Sequence, residues 1–156
     1  SDIDVTATVE DALRLLGHRL NGVTVERDYQ PVPLAHVRPG QLQQLWTNLL
    51  ANALDATGPD GTISVRIDSP DPRLIRVRIF DDGPGFEADM IDQLFTPHFT
   101  TKHGRVSFGA GLGLSICRQI VEAHEGTIDL SAGDGQTVAT VILPTGATVT
   151  ARKDTP

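Results

Sequence analysis

Thr62-Ile-Ser-Val-Arg-Ile-Asp-Ser-Pro-Asp-Pro-Arg-Leu-Ile-Arg-Val-Arg-Ile-Phe80 decides the fold. Residues 62–67 and 74–80 each alternate apolar with polar, the period of a half-buried strand. Ser69-Pro-Asp-Pro72 between them is a turn signal, so the two runs read as an antiparallel hairpin. A second hairpin is expected near the end of the chain, from residues 127–131 and 137–143 around Gly133-Asp-Gly135. Helical patterns occur in runs and do not alternate one by one with strands. That order favours an α+β two-layer sandwich over a doubly wound parallel sheet.

The rest of the chain fits one domain. Its 156 residues are 39% apolar, ordinary for a packed core, and fifteen glycines add to that share. Thirteen Lys plus Arg against twenty Asp plus Glu leave a net charge of −7. Nucleic acid is therefore not expected as a partner, since phosphate backbones are held largely by cationic side chains. No apolar run approaches the roughly 18 residues of a membrane helix, and the first ten residues do not resemble a signal peptide. Membrane contact is not expected and a cytoplasmic location is. Cys117 is the single cysteine, so no internal disulfide or cysteine zinc cluster can form. His98 and His103 are too few for a zinc site.

Three long helices are expected. Residues 4–19 read as a helix, since Val9, Leu13, Leu16 and the following Leu20 recur at helical spacing, with Thr6 or Thr8 as the cap. A second helix follows Pro39-Gly40 and runs to about Thr57, where Gly58-Pro-Asp-Gly61 closes it. A third starts near Gly111 and ends before Gly126. Residues 23–27 read as a strand, 34–37 as a short edge strand, 87–94 as a short helix and 96–109 as a loop. Residues 1–144 are expected to form the domain and 145–156 a polar, flexible tail.

The second helix has two faces. Leu42, Leu45, Trp46, Leu49, Leu50 and Ala53 form one stripe. Asn48, Asn52 and Asp55 gather on another. Asparagine is a poor helix former, and a solvated face would normally carry Lys, Glu or Arg. Such a row either makes hydrogen bonds between helices or offers oxygen ligands to a hard cation such as Mg2+.

Two glycine motifs follow. The strand ending at Phe80 runs into Asp81-Asp-Gly-Pro-Gly85, either a simple turn or a carboxylate for an exocyclic amine beside a closely approachable backbone. Gly109-Ala-Gly-Leu-Gly-Leu114 opens the third helix, where free N–H groups and the dipole favour phosphate. Between them, residues 94–105 collect Lys102, His103 and Arg105 beside hydroxyls, a solvated loop or a lid over an anion.

Taken together, these four segments resemble the ATP-binding catalytic domain of sensor histidine kinases, in the superfamily shared with gyrase, mismatch-repair ATPases and heat-shock chaperones. Asn48-Leu-Leu-Ala-Asn52-Ala-Leu-Asp-Ala is similar to its N box, Asp81-Asp-Gly-Pro-Gly85 to its first glycine box, residues 94–102 to its F box, and Gly109–Leu114 to its second glycine box. The resemblance implies a Bergerat fold, a mixed and mostly antiparallel sheet covered on one face by three helices. It implies Mg-ATP as the ligand, with Mg2+ on Asn52 and Asn48 beside it. Asp81 would bind the adenine amine, and Gly83 and Gly85 would admit the base. Gly109, Gly111, Leu112, Gly113 and Leu114 would hold phosphates. Phe95, Thr100 and Thr101 would line the nucleotide, and Lys102 would reach the terminal phosphate. Asn48 and Lys102 are thus the expected catalytic residues. Asp55 stands where many relatives have a base, so its expected role is in a water or metal shell.

Hydrolysing relatives place a glutamate base four residues before the metal-binding asparagine. Here Asn48 occupies that place and cannot take a proton. Weak hydrolysis and a phosphoryl-donor role are therefore expected. The acceptor would be a histidine on a separate dimerisation domain, with a response regulator downstream. His124-Glu125 mimics an acceptor motif, but Gly126 ends the helix there. The alternative is a regulatory nucleotide-binding module or a protein-serine kinase of the same superfamily. An ATP-driven clamp fits less well, since it needs the glutamate base.

Overall fold

The structure is a computed structural model that describes residues 2–83, 100–102, 105–107, 109–133 and 136–145. The expected short helix at 87–94, Gly85, Phe95, His98, His103 and residues 146–156 lie outside them. The elements are β1 (Asp2–Ile3), α1 (Val5–Leu15), a 3-10 turn (Gly17–Leu20), β2 (Thr24–Tyr29), β3 (Ala35–His36) and α2 (Pro39–Thr57). They continue as β4 (Thr62–Asp71), β5 (Leu74–Asp81), β6 (Thr100–Lys102), β7 (Arg105–Ser107), α3 (Gly109–Ala123), β8 (Thr127–Gly133) and β9 (Gln136–Pro144).

The main sheet has the order β2-β4-β5-β9-β8. Its β2–β4 pair is parallel and its other pairs are antiparallel, so the sheet is mixed and mostly antiparallel. The β4–β5 hairpin forms as its alternation requires. Ile63, Val65, Ile67, Ile75, Val77 and Ile79 point to one face and are all buried. Helices α1, α2 and α3 pack as a layer on that face, α2 against β4 and β5 and α3 against β8. The result is the expected α+β two-layer sandwich.

Local chemistry moved several boundaries. Asp4, rather than Thr6 or Thr8, caps α1, accepting from the N–H groups of Thr6 at 3.0 Å and Ala7 at 3.5 Å. Thr8 is buried instead. Its hydroxyl donates to the Val5 carbonyl at 2.6 Å and accepts from Trp46 Nε1 at 2.9 Å, tying α1 to α2. The first helix stops at Leu15 and a 3-10 turn replaces its expected end. Strand β4 runs on to Asp71, past the expected turn. A register shift between Asp68 and Asp71 accommodates Pro70, which cannot donate to the ladder. Residues 35–36 pair with Asp2 and Ile3 in a separate two-stranded ribbon, and Ala35 also bridges Thr145, the residue after β9. Within the expected loop, β6 and β7 form a small hairpin, and α3 begins at Gly109, two residues early. Thr145 is buried and donates its N–H to the Arg73 carbonyl at 2.9 Å.

Candidate functional site

The site lies where β5 ends against the last turn of α2. Asp81 is the last residue of β5, on the helix-facing side, and only 6% exposed. Burial raises its pKa above the ordinary carboxylate value. The Gly83 N–H, donated to Oδ1 at 3.0 Å, opposes that rise, and the neighbouring Asp82 charge adds to it. Among the described residues Oδ2 takes no hydrogen bond. Directly opposite in the β5–β9 register stands Thr137, also buried, whose hydroxyl has no partner among the described residues. The carboxylate of a buried aspartate and a buried hydroxyl without a partner among the described residues thus stand opposite each other on one face. They form an acceptor and donor pair suited to the polar edge of a flat heterocycle.

Asp82 points away, as adjacent strand residues do. It is exposed, takes the Thr57 hydroxyl and accepts from the Thr62 N–H at 3.1 Å, so it pins the end of α2 to the start of β4. Gly83 is sterically required. A Cβ there would stand 2.5 Å from the Ala56 carbonyl oxygen. The turn that carries Asp81 therefore lies against the helix that carries the asparagines.

On α2, Asn52 is partly buried, and its Nδ2 atom is buried with no partner among the described residues. An amide that can turn Oδ1 or Nδ2 outward suits a ligand that brings its own waters and phosphates. Among the described residues no group of three His, Cys, Asp or Glu could cage a metal. The Asn52 amide carbonyl is a hard oxygen donor of the kind Mg2+ accepts beside its own waters and substrate phosphates. Asn48 lies one turn back and contacts the Cys117 thiol of α3; burial pushes that thiol up to about 12 and leaves it inert. Asp55 is exposed and paired with Arg19 at 2.7 Å, on the side toward the 3-10 turn.

The second glycine motif forms the first turns of α3. Gly109, Gly111, Leu112 and Gly113 thus contribute backbone whose first N–H groups lack helical partners. Leu114 is buried in the core, so its side chain is not available to a ligand. Thr100, Thr101 and Lys102 form β6, which lies against α3. Gly83 lies against Ala56, about one helical turn beyond Asn52 and two beyond Asn48 on α2. Thr137 had escaped the sequence reading. Its signal was available: it is a polar residue on the core-facing side of an otherwise alternating strand.

His124 is no phosphoacceptor in this fold. Its Nδ1–H donates to the Ile120 carbonyl at 2.8 Å and its Nε2 accepts from the Arg38 N–H at 3.1 Å. Both ring nitrogens are engaged, so neither is free for a phosphoryl group.

Comparison with known proteins adds the family. The profile described as histidine kinase-, DNA gyrase B- and HSP90-like ATPase matches residues 38–150. The sensor histidine kinase ZraS of Escherichia coli (strain K12) is 33% identical over 156 residues, covering 97% of this chain and 32% of that protein. The sensory histidine kinase/phosphatase NtrB of Klebsiella oxytoca is 34% identical over 147 residues, covering 86% of this chain and 41% of that one. The chain thus spans about a third to two fifths of the length of these curated relatives. Among solved structures, the mycobacterial sensor histidine kinase MprB superposes with a TM-score of 0.82 at 26% identity, covering 92% of this chain and 97% of that chain.

Proposed function

The chain belongs to the histidine kinase-, DNA gyrase B- and HSP90-like ATPases, and we propose that it is the phosphoryl-donor module of a two-component sensor kinase. As a member of that family it binds ATP. The observation that carries the detailed reading is the buried Asp81–Thr137 pair, whose Oδ2 atom and hydroxyl have no hydrogen-bond partner among the described residues. Asp81 Oδ2 accepts from the exocyclic amine of adenine, and the Thr137 hydroxyl serves the neighbouring ring nitrogen directly or through a water. Gly83 keeps the turn thin enough for the base to lie against it.

The triphosphate runs from there past α2 toward the first turn of α3. Asn52 would hold Mg2+ with Asn48 at its side, and the α3 amide groups from Gly109 onward would receive phosphate oxygens. Mg2+ would neutralise charge on the phosphates and so permit a −7 domain to hold a polyanion. Lys102 on β6 reaches the terminal phosphate. Because Asn48 cannot act as a base, water is activated poorly and the phosphoryl group is kept for a protein acceptor.

That acceptor is a histidine on a dimerisation domain, from which a response regulator takes the group in turn. The names of the relatives, a sensor kinase and a kinase/phosphatase, support this assignment. Cytoplasmic work fits the ATP supply and the reduced, buried Cys117. The test mixes the domain with the separately produced histidine-bearing domain of its own parent protein and γ-labelled ATP. Label is expected on the second protein, labile in acid and stable in alkali, and lost with Asn52→Ala. Acid-stable label would instead indicate a serine kinase, and no label would indicate a module that only binds.

A further inference from the structure

The face of the sheet turned away from the helices carries an arginine pair that the nucleotide reading does not use. Asp28, Arg66, Arg78, Thr140 and Asp129 lie in register across all five strands. Arg66 and Arg78 are direct cross-strand partners, and like charges so placed destabilise a sheet. Both guanidiniums stand over the ring of Phe80, 4.9 Å and 6.0 Å from its centroid. Arg66 is exposed and has no ion-pair partner among the described residues. Arg78 reaches Asp68 at 3.4 Å, but Asp68 already holds Arg76 at 2.9 Å and 2.6 Å. The Nε of Arg78 is buried without an acceptor among the described residues. Beside Phe80 in register lies Val138, half-buried on the same face, and among the described residues no helix covers it.

We infer that the Arg66–Arg78 pair over Phe80 is a docking surface for an acidic amphipathic helix of a partner protein. Two planar cations fixed on one ring form a preorganised fork for carboxylates. The adjoining apolar strip of Phe80 and Val138 takes the leucine-like side of the same helix, which adds a third layer to the sandwich. Charge selects the partner class. Asp28 and Asp129 close the row at both ends, and Glu26 and Asp68 lie next to it on the same face. A continuous polyphosphate meets those carboxylates, whereas isolated acidic side chains between apolar ones avoid them.

The probe is a fluorescein-labelled, amidated peptide of four Glu-Ala-Ala-Leu repeats, with its Lys-Ala-Ala-Leu counterpart as the control. Anisotropy is read at low salt with Mg-ADP present, and amide shifts are recorded by NMR. The acidic peptide is expected to bind at least tenfold more tightly than the basic one. Its shifts should centre on Arg66, Arg78, Phe80 and Val138, and 0.5 M salt should weaken it. The Arg66→Gln/Arg78→Gln variant should lose at least tenfold in affinity, and Arg66→Lys/Arg78→Lys should recover part of it. Trp46 fluorescence reports whether each variant is folded; Arg66→Gln alone, at an exposed position, carries the test if the double variant is not. Equal binding of the two peptides, unchanged binding by the folded glutamine variants, or shifts centred elsewhere would overturn the inference.

Discussion

Burial opposes ionisation of the Asp81 carboxyl and raises its pKa above the ordinary aspartate value. Its folded pKa lies above its unfolded value, so the group works against stability at neutral pH. That cost disappears as pH falls through the folded value toward 3.8. Asp81→Asn is therefore expected to leave the unfolding midpoint equal or higher. The same change should weaken ADP binding roughly tenfold or more, on the scale of a hydrogen bond to a charged group. Binding by the native protein should fall as pH drops, and should begin to fall above the range where an exposed aspartate protonates. Calorimetric titration of ADP between pH 8 and 5 checks both statements. Thr137→Val belongs with them. It removes a buried unpaired hydroxyl, so it should not destabilise, yet ADP affinity should drop about threefold to tenfold. Equal affinity would remove Thr137 from the site. Glu125 provides a further test at this scale. It ends α3 at φ 61°, the left-handed region that favours glycine, while Gly126 donates to the Val121 carbonyl at 2.9 Å. Glu125→Gly should stabilise the domain by about 1 kcal/mol, read by thermal unfolding. In the sequence Gly126 reads only as the residue at which the helix ends. It is glycine for a different reason: a Cβ there would lie 2.3 Å from the Ile142 carbonyl oxygen.

At the scale of elements, the periodic segments were legible and the polar ends were not. The alternation of β4 and β5 and the stripe of α2 fix their faces because every buried position except Asp81 is apolar. The cap at Asp4, the extension of β4 past Pro70 and the β6–β7 hairpin depend on single hydrogen bonds and register, to which periodicity is blind. The row Asn48, Asn52 and Asp55 was legible as unusual, but one face of a helix does not say what stands opposite. The structure divides the row, with Asn52 partly buried and unpaired at Nδ2 and Asp55 held by Arg19. Trp46 ties α2 to α1 through Thr8. Trp46→Phe should cost about 1–3 kcal/mol, since it leaves a buried hydroxyl short of its donor. His124 ties the end of α3 to the start of α2 by its two hydrogen bonds. His124→Ala should destabilise by about 1–2 kcal/mol without abolishing label transfer, because no phosphoryl group passes through it. Loss of transfer in a folded His124→Ala variant would reopen its candidacy.

For the whole molecule, one arrangement explains why a strongly acidic domain would hold ATP. Helices α2 and α3 are packed side by side on the sheet, and Asp81 and Thr137 are set at the strand ends next to them. The family, the fold and the four motifs could be read from the sequence because glycines, asparagines and an aspartate recur in a fixed order. The partner of Asp81 could not, because Thr137 lies 56 positions away and only the β5–β9 register brings it opposite. The measurement that bears most directly on the account is an NMR titration of the domain with Mg-ATP. The account predicts saturable shifts in the amides of Asp81, Gly83 and Thr137, with Asn52 and the first turn of α3 responding more strongly when Mg2+ is present. Absence of saturation at millimolar ATP, or shifts confined to other parts of the molecule, would contradict it.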